Sequence, residues 1–97
     1  MVRPIRCRRV RFRPRATYFK PTGIRAIDLE EIVLTLEEYE AIRLVDLENV
    51  EQSRAGEMMM VSQPTLSRIL KFARKKISDA IISGKAIKIE GGNYSFS

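Results

Sequence analysis

The sequence predicts a mainly α fold: a helix-turn-helix bundle with a small C-terminal β-hairpin and an arginine-rich N-terminal arm or strand. A Thr-x-x-Glu capping box at residues 35–38 opens one helical apolar pattern, and Ser62 followed by Pro64 opens a second, longer one. Near the end, Gly91-Gly92 separates two short alternating runs, the pattern of a tight hairpin. These signals divide the chain into a basic arm or strand over residues 1–23, a helix-turn-helix domain over 24–84 and a hairpin over 85–97.

RPIRCRRVRFRPR (residues 3–15) is bracketed by Pro4 and Pro14. Val10 and Phe12 alternate with Arg9, Arg11 and Arg13, so an edge strand with arginines on one face and a flexible cationic arm are both open readings. TYFKPTG reads as a turn, from Pro21 and Gly23. IRAIDLEEIVL fits either a short helix capped by Asp28 or an extended entry segment. At the capping box the Thr35 hydroxyl can accept from the third helical amide while Glu38 returns to the cap, with Leu34 and Tyr39 placed as a hydrophobic staple. Leu36, Tyr39, Ile42, Leu44, Val45 and Leu47 recur at helical spacing, giving a first helix with its acids outward.

Gln52 to Met59 reads as a second, short helix burying Ala55, Met58 and Met59. Ser62 caps a third, where Pro64 is tolerated because the amide hydrogen it lacks would be unpaired in a first turn. Leu66, Ile69, Leu70, Ala73, Ile77, Ala80 and Ile81 form its apolar stripe, and Gly84 suits the residue just past its end. In KAIKIEGGNYSFS, a two-residue loop sets Ile89 opposite Tyr94 and Ile87 opposite Phe96, all on one face. A lone hairpin is marginal in water, so this one must pack on the helices, the N-terminal strand or another subunit. Its apolar face is the candidate contact for a homodimer.

Ninety-seven residues with 44% hydrophobic content suit one folded domain. No apolar run nears the roughly 18 residues of a membrane span, and the basic start lacks the apolar core of a secretory signal. Cys7 is alone and His is absent, which argues against an internal disulfide, a zinc site or any cofactor and points to a reducing cytoplasm. The net charge of +6 is unevenly spread. Residues 1–27 carry +9, residues 28–57 carry −8 and residues 58–97 carry +5. Two basic blocks flanking an acidic one draw in polyanions.

QSRAGEMMMVSQPTLSRIL fills each slot that two helices crossing steeply at a short turn require. Ala55-Gly56 is small at the close approach, Met59 and Val61 flank the turn, and Leu66 and Ile69 anchor the second helix. The outward face then shows Gln63, Thr65, Ser67, Arg68 and Lys71, which can reach base edges in a major groove. Arg9, Arg11, Arg13, Lys75 and Lys76 are the candidate phosphate contacts.

CRRV, TYFKPTG, LTLEEYEAIRL, FARKKISDAI and GKAIKIEGGNY, in that order, resemble uncharacterised protein family 0251 (domain of unknown function 134), prokaryotic proteins predicted to bind DNA. From LTLEEYEAIRL through SRILKFARKKI the chain is also similar to region 4 of sigma-70-type factors, which reads the promoter −35 element. The resemblance implies a DNA-binding domain of that shape, with Gln63, Thr65, Ser67, Arg68 and Lys71 on the recognition helix. One departure is Met60, where the family pattern prefers Gly; a left-handed residue there costs roughly 1 kcal/mol unless it is Gly.

The leading expectation is therefore a sequence-specific binder of double-stranded DNA, a cytoplasmic, nucleoid-associated transcriptional regulator. RNA binding is the alternative for the arginine-rich segment, with Tyr18, Phe19, Tyr94 and Phe96 as stacking faces. A sigma-like module docking its acidic first helix on a protein is another. An enzyme is not expected, since there is no His, no nucleophile–base pair and no phosphate-cradling glycine loop. Cys7 beside its arginines reads first as an ordinary thiol and second as a redox-sensitive one.

Overall fold

The capping box forms as the sequence requires. In a computed structural model, which describes residues 7–96, Thr35 Oγ1 accepts from the Glu38 amide at 3.3 Å and Glu38 Oε1 accepts from the Thr35 amide at 2.9 Å. The first part of the expected arm, residues 1–6, lies outside the described residues. Helix α1 runs over Leu36–Ala41 and continues as a wider, π-helical stretch over Ile42–Leu47. Helix α2 spans Gln52–Met59 and α3 spans Gln63–Ser83, with Ser62 Oγ accepting from the Thr65 amide at 3.3 Å.

Both later helices end the same way. Met60 (φ 61, ψ 41) follows α2 and Gly84 (φ 67, ψ 41) follows α3, each left-handed. The Val61 amide donates to Gly56 O and the Lys85 amide to Ala80 O, both at 2.9 Å, the six-to-one bond that satisfies orphan carbonyls at a helix end. At Gly56 a Cβ would lie 3.1 Å from Val61 O, so a larger residue would press on the turn where α2 meets it.

Five short strands make the fold mixed α/β rather than mainly α. They are β1 (Arg8–Val10), β2 (Tyr18–Phe19), β3 (Glu31–Leu34), β4 (Ala86–Ile89) and β5 (Tyr94–Phe96). The C-terminal hairpin does not form. β4 lies at the centre of a three-stranded sheet, antiparallel to β2 and parallel to β3, so both its edges are occupied. β5 instead pairs in parallel with β1, setting Arg8 opposite Tyr94 and Val10 opposite Phe96. Gly91 (φ 72) and Gly92 (φ 100) do take the expected positive φ, but the N-terminus of α1 captures them. The Leu36 amide donates to Gly91 O at 3.0 Å, Glu37 Oε1 accepts from the Asn93 amide at 2.8 Å, and a Cβ on Gly92 would sit 2.9 Å from Thr35 Cβ. IRAIDLEEIVL follows its extended reading, with β3 over Glu31–Leu34; the expected helix capped by Asp28 does not form, since Asp28 ends a 3-10 turn at Ala26–Asp28 instead of opening a helix.

Two buried clusters share the helices between them. Ala41, Leu44, Ala55, Met59, Leu66 and Leu70 join α1, α2 and the first half of α3. Val10, Leu34, Leu36, Ala73 and Ile89 join the strands to the second half, with Ile77, Ile87, Tyr94 and Phe96 packed against them. The face offered to a second copy is thus covered from within the chain. Two further expectations are corrected. Ile81 is 72% exposed, because Ile77 and Ala80 are the residues that face the core in the last turns of α3. Glu38 and Glu40 are buried rather than outward, drawn in by basic groups and amides that need them.

Candidate nucleic-acid interface

The acidic block neutralises a particular subset of the bases. Among the described residues, every carboxylate except those of Glu31 and Glu51 lies within ion-pair distance of a Lys or Arg. Glu40 is 2% exposed and takes the Arg43 guanidinium in a fork, Nε to Oε1 and Nη2 to Oε2 both at 2.8 Å. That pairing holds the Arg43 pKa above its ordinary value, a hydrogen bond to Glu40 being the main cause. Glu48 is the second partner of Arg43. Arg74 forks onto Asp46 at 2.7 and 3.1 Å, joining α3 to the π-helical stretch and holding the Asp46 carboxyl below its ordinary range. Lys85 does the same for Asp79, helped by a hydrogen bond from the Ser83 hydroxyl.

Among the described residues, no carboxylate pairs with Arg9, Arg11, Arg13, Arg15, Lys20, Arg68, Lys71 or Lys75. Six of these are the candidate contacts named above. A charge left without an internal partner at the surface contributes to the outer field rather than to the fold.

Helix α3 supplies the first group. Arg68, Lys71 and Lys75 are exposed and follow the i, i+3, i+7 spacing that puts side chains on one helix face. Gln63 and Ser67 are exposed as well. Thr65 is half-buried, its amide serving the cap and its Oγ1 accepting from Ser62 Oγ at 2.9 Å, so its role is at least partly structural. Lys76 departs from the phosphate set. Its ammonium donates to Val33 O at 2.8 Å and to Glu38 Oε1 at 2.7 Å, tying α3 to β3 and to the start of α1.

The second group follows β1, which packs on α1 and α2. The Arg11 amide donates to Glu40 Oε2 at 3.0 Å, so the buried carboxylate that holds Arg43 also anchors the arginine segment. The guanidinium groups of Arg11 and Arg43 lie 5.4 and 5.3 Å from the Phe12 ring centroid. Cation–π contact of this kind orders a charge without neutralising it. Arg9 and Arg11 line one concavity with Arg54, Met58 and Glu40. Arg54 is masked in the sequence because it stands in the acidic block; its partner Glu57 is 3.3 Å away and both are exposed.

Arg8 is the link between the two groups. Its guanidinium Nε lies 3.3 Å from Glu37 Oε2 but is not aligned to donate to it, leaving a buried donor without a hydrogen bond. Arg8 lines a second concavity with Thr65, Arg68, Ile69 and Phe72. Arg13 has its guanidinium 4.4 Å above the ring of Phe96 on β5, the strand that pairs with β1. The described residues contain no cluster of His, Cys, Asp and Glu able to hold a metal ion, and no helix long and apolar enough to cross a membrane.

The family model described as "Protein of unknown function DUF134" matches residues 1–97. A UPF0251 protein of Thermoanaerobacter pseudethanolicus is 55% identical over 94 residues, spanning 97% of this chain and 80% of the relative. One from Caldanaerobacter subterraneus is 57% identical over 94 residues with the same coverage, and one from Desulforudis audaxviator is 52% identical over 96 residues, spanning 99% of this chain and 63% of the relative. No solved structure matches the chain.

Proposed function

The chain belongs to the DUF134 family of proteins of unknown function, and we infer that it binds double-stranded DNA sequence-specifically, as a transcriptional regulator. In this reading α2 and α3 are a helix-turn-helix of the sigma-70 region 4 type. The N-terminal half of α3 enters the major groove with Gln63, Ser67, Arg68 and Lys71 toward base edges, and Thr65 beside them. Lys75 and the arginines at 9, 11 and 13 meet phosphates, with Arg54 added from α2.

The observation that carries the reading is the division of charge. Glu37, Glu38, Glu40 and Asp46 engage Arg8, Lys76, Arg43 and Arg74 within the fold, while Arg68, Lys71 and Lys75 stand unpaired along one face of α3. The same division disfavours docking through an acidic first helix, whose carboxylates are already engaged. Packing, not charge, disfavours RNA stacking on Tyr94 and Phe96, which lie against the core and each other, ring centroids 5.2 Å apart, whereas Phe19 is exposed.

In vitro selection from random duplex DNA tests the reading. Enrichment of a defined motif is expected, and a symmetric motif would add a dimer of the chain on two half-sites. Recovery of random sequence would refute it.

A further inference from the structure

Helix α3 exposes three large apolar residues, Phe72, Ile81 and Ile82, and of these Phe72 alone stands among the candidate base-reading residues of its N-terminal half. Phe72 stands four residues after Arg68 and three before Lys75, completing an i, i+3, i+4, i+7 row with Lys71. Its side chain is 59% exposed and belongs to neither core cluster. No other ring and no guanidinium is stacked on it among the described residues. An aromatic ring left in water forgoes the stabilisation that apolar burial would give, so a partner that covers it gains affinity. The concavity that Phe72 lines with Thr65, Arg68 and Ile69 also holds Glu37 and Glu38, whose carboxylates are paired with Arg8 and Lys76, while Arg68 at its rim is unpaired.

We propose that Phe72 is a specificity-determining residue that reads the 5-methyl group of a thymine next to the base contacted by Arg68. The assignment rests on the DNA-binding reading above and narrows it. Cations bordering the ring select a polyanionic partner over an apolar protein surface. Of the groups exposed in the major groove, the thymine methyl alone is apolar, so it is the group that an exposed ring in a row of polar readers matches. Neighbours on one helix face contact neighbouring base pairs, which sets the thymine beside the Arg68 contact.

The test is a deoxyuridine scan of the selected duplex. Each thymine in turn is replaced by deoxyuridine, which lacks only the methyl, and binding is measured for the wild type, Phe72→Ala and Phe72→Leu. At one thymine the wild type should lose affinity roughly three- to fivefold, the worth of one buried methyl. Phe72→Ala should be indifferent to the swap at that position, and Phe72→Leu should keep part of the preference. The exposure of the ring predicts that both variants fold, which a thermal melt checks. A wild-type chain that enriches no sequence refutes the DNA reading and this assignment together. A wild type that tolerates deoxyuridine everywhere, or a penalty that survives Phe72→Ala, refutes the assignment alone. A change in the mass of the DNA-free protein on Phe72→Ala would place the ring against a second copy and overturn it too.

Discussion

Met60 and Gly84 occupy the same left-handed position after consecutive helices, one with a side chain and one without. Exchanging the residue types isolates the cost of that backbone state. An L-residue there costs roughly 1–2 kcal/mol, and Gly gives back roughly 0.5–1 kcal/mol through the greater freedom of the unfolded chain. Met60 is 43% exposed, so its partly covered side chain gives some apolar burial that the substitution loses and that offsets part of the gain. Met60→Gly should therefore stabilise the fold by about 0.5 kcal/mol. At Gly84 a Cβ would meet nothing within 4 Å, so Gly84→Ala reports backbone strain less the unfolded-chain entropy, free of side-chain clashes, and should destabilise by about 1 kcal/mol. Urea melts of both variants beside the wild type, at constant m, supply the comparison. Clear destabilisation by Met60→Gly would show that the methionine's packing outweighs its strain. A neutral Gly84→Ala would refute backbone strain as the cost at both turns.

Glu40→Ala removes the buried carboxylate that takes Arg43 and the Arg11 amide, and should cost roughly 3 kcal/mol in a denaturant melt, less whatever Glu48 recovers for Arg43. Ending the chain after Gly91 deletes β5 and leaves β1 without its partner, so the melting temperature should fall and protease should cut within residues 8–13. An unchanged melt and digest would show that the parallel pair holds nothing in place. Asp46 has its folded pKa depressed by Arg74, so its contribution to stability is full above the ordinary carboxylate value of 3.8 and is lost as pH falls through the folded value. The stability gap between wild type and Asp46→Asn should accordingly be wider at pH 6 than at pH 3; a gap independent of pH would mean that the pair is not what couples α3 to the π-helical stretch.

Local signals were legible and competition between partners was not. The capping box, both left-handed helix ends and the limits of α2 and α3 each depend on a few adjacent residues, so the sequence reaches them directly. The glycine pair is local too, and its positive φ was readable. What the chain does after it was decided by β2 and β3, which fill both edges of β4, and by Thr35 and Glu37, which hold the turn. Those partners lie more than fifty residues away in sequence. The apolar residues of the expected hairpin nevertheless all lie in the core or against it, since alternation fixes a face without naming the neighbour. In the candidate interface, Arg68, Lys71 and Lys75 follow from helical spacing, whereas Lys76 is one residue away and faces Glu38. Arg54 is masked in the sequence by surrounding acids, and Phe72, absent from the apolar stripe of α3, falls on the same outward face as Arg68 and Lys71.

If α3 reads bases while the arginine segment holds phosphates, the two must respond differently to DNA sequence and to salt. Titration of Arg68→Ala and of the triple variant Arg9→Ala/Arg11→Ala/Arg13→Ala against selected and scrambled duplexes, at several salt concentrations, measures both responses. Arg68→Ala should cost roughly 1–3 kcal/mol on the selected duplex and leave binding to the scrambled one nearly unchanged. The triple variant should weaken both duplexes alike and flatten the plot of log affinity against log salt by about 0.9 for each phosphate no longer neutralised. Equal weakening of the two duplexes by Arg68→Ala would contradict this division of labour and leave α3 as no more than a basic helix face.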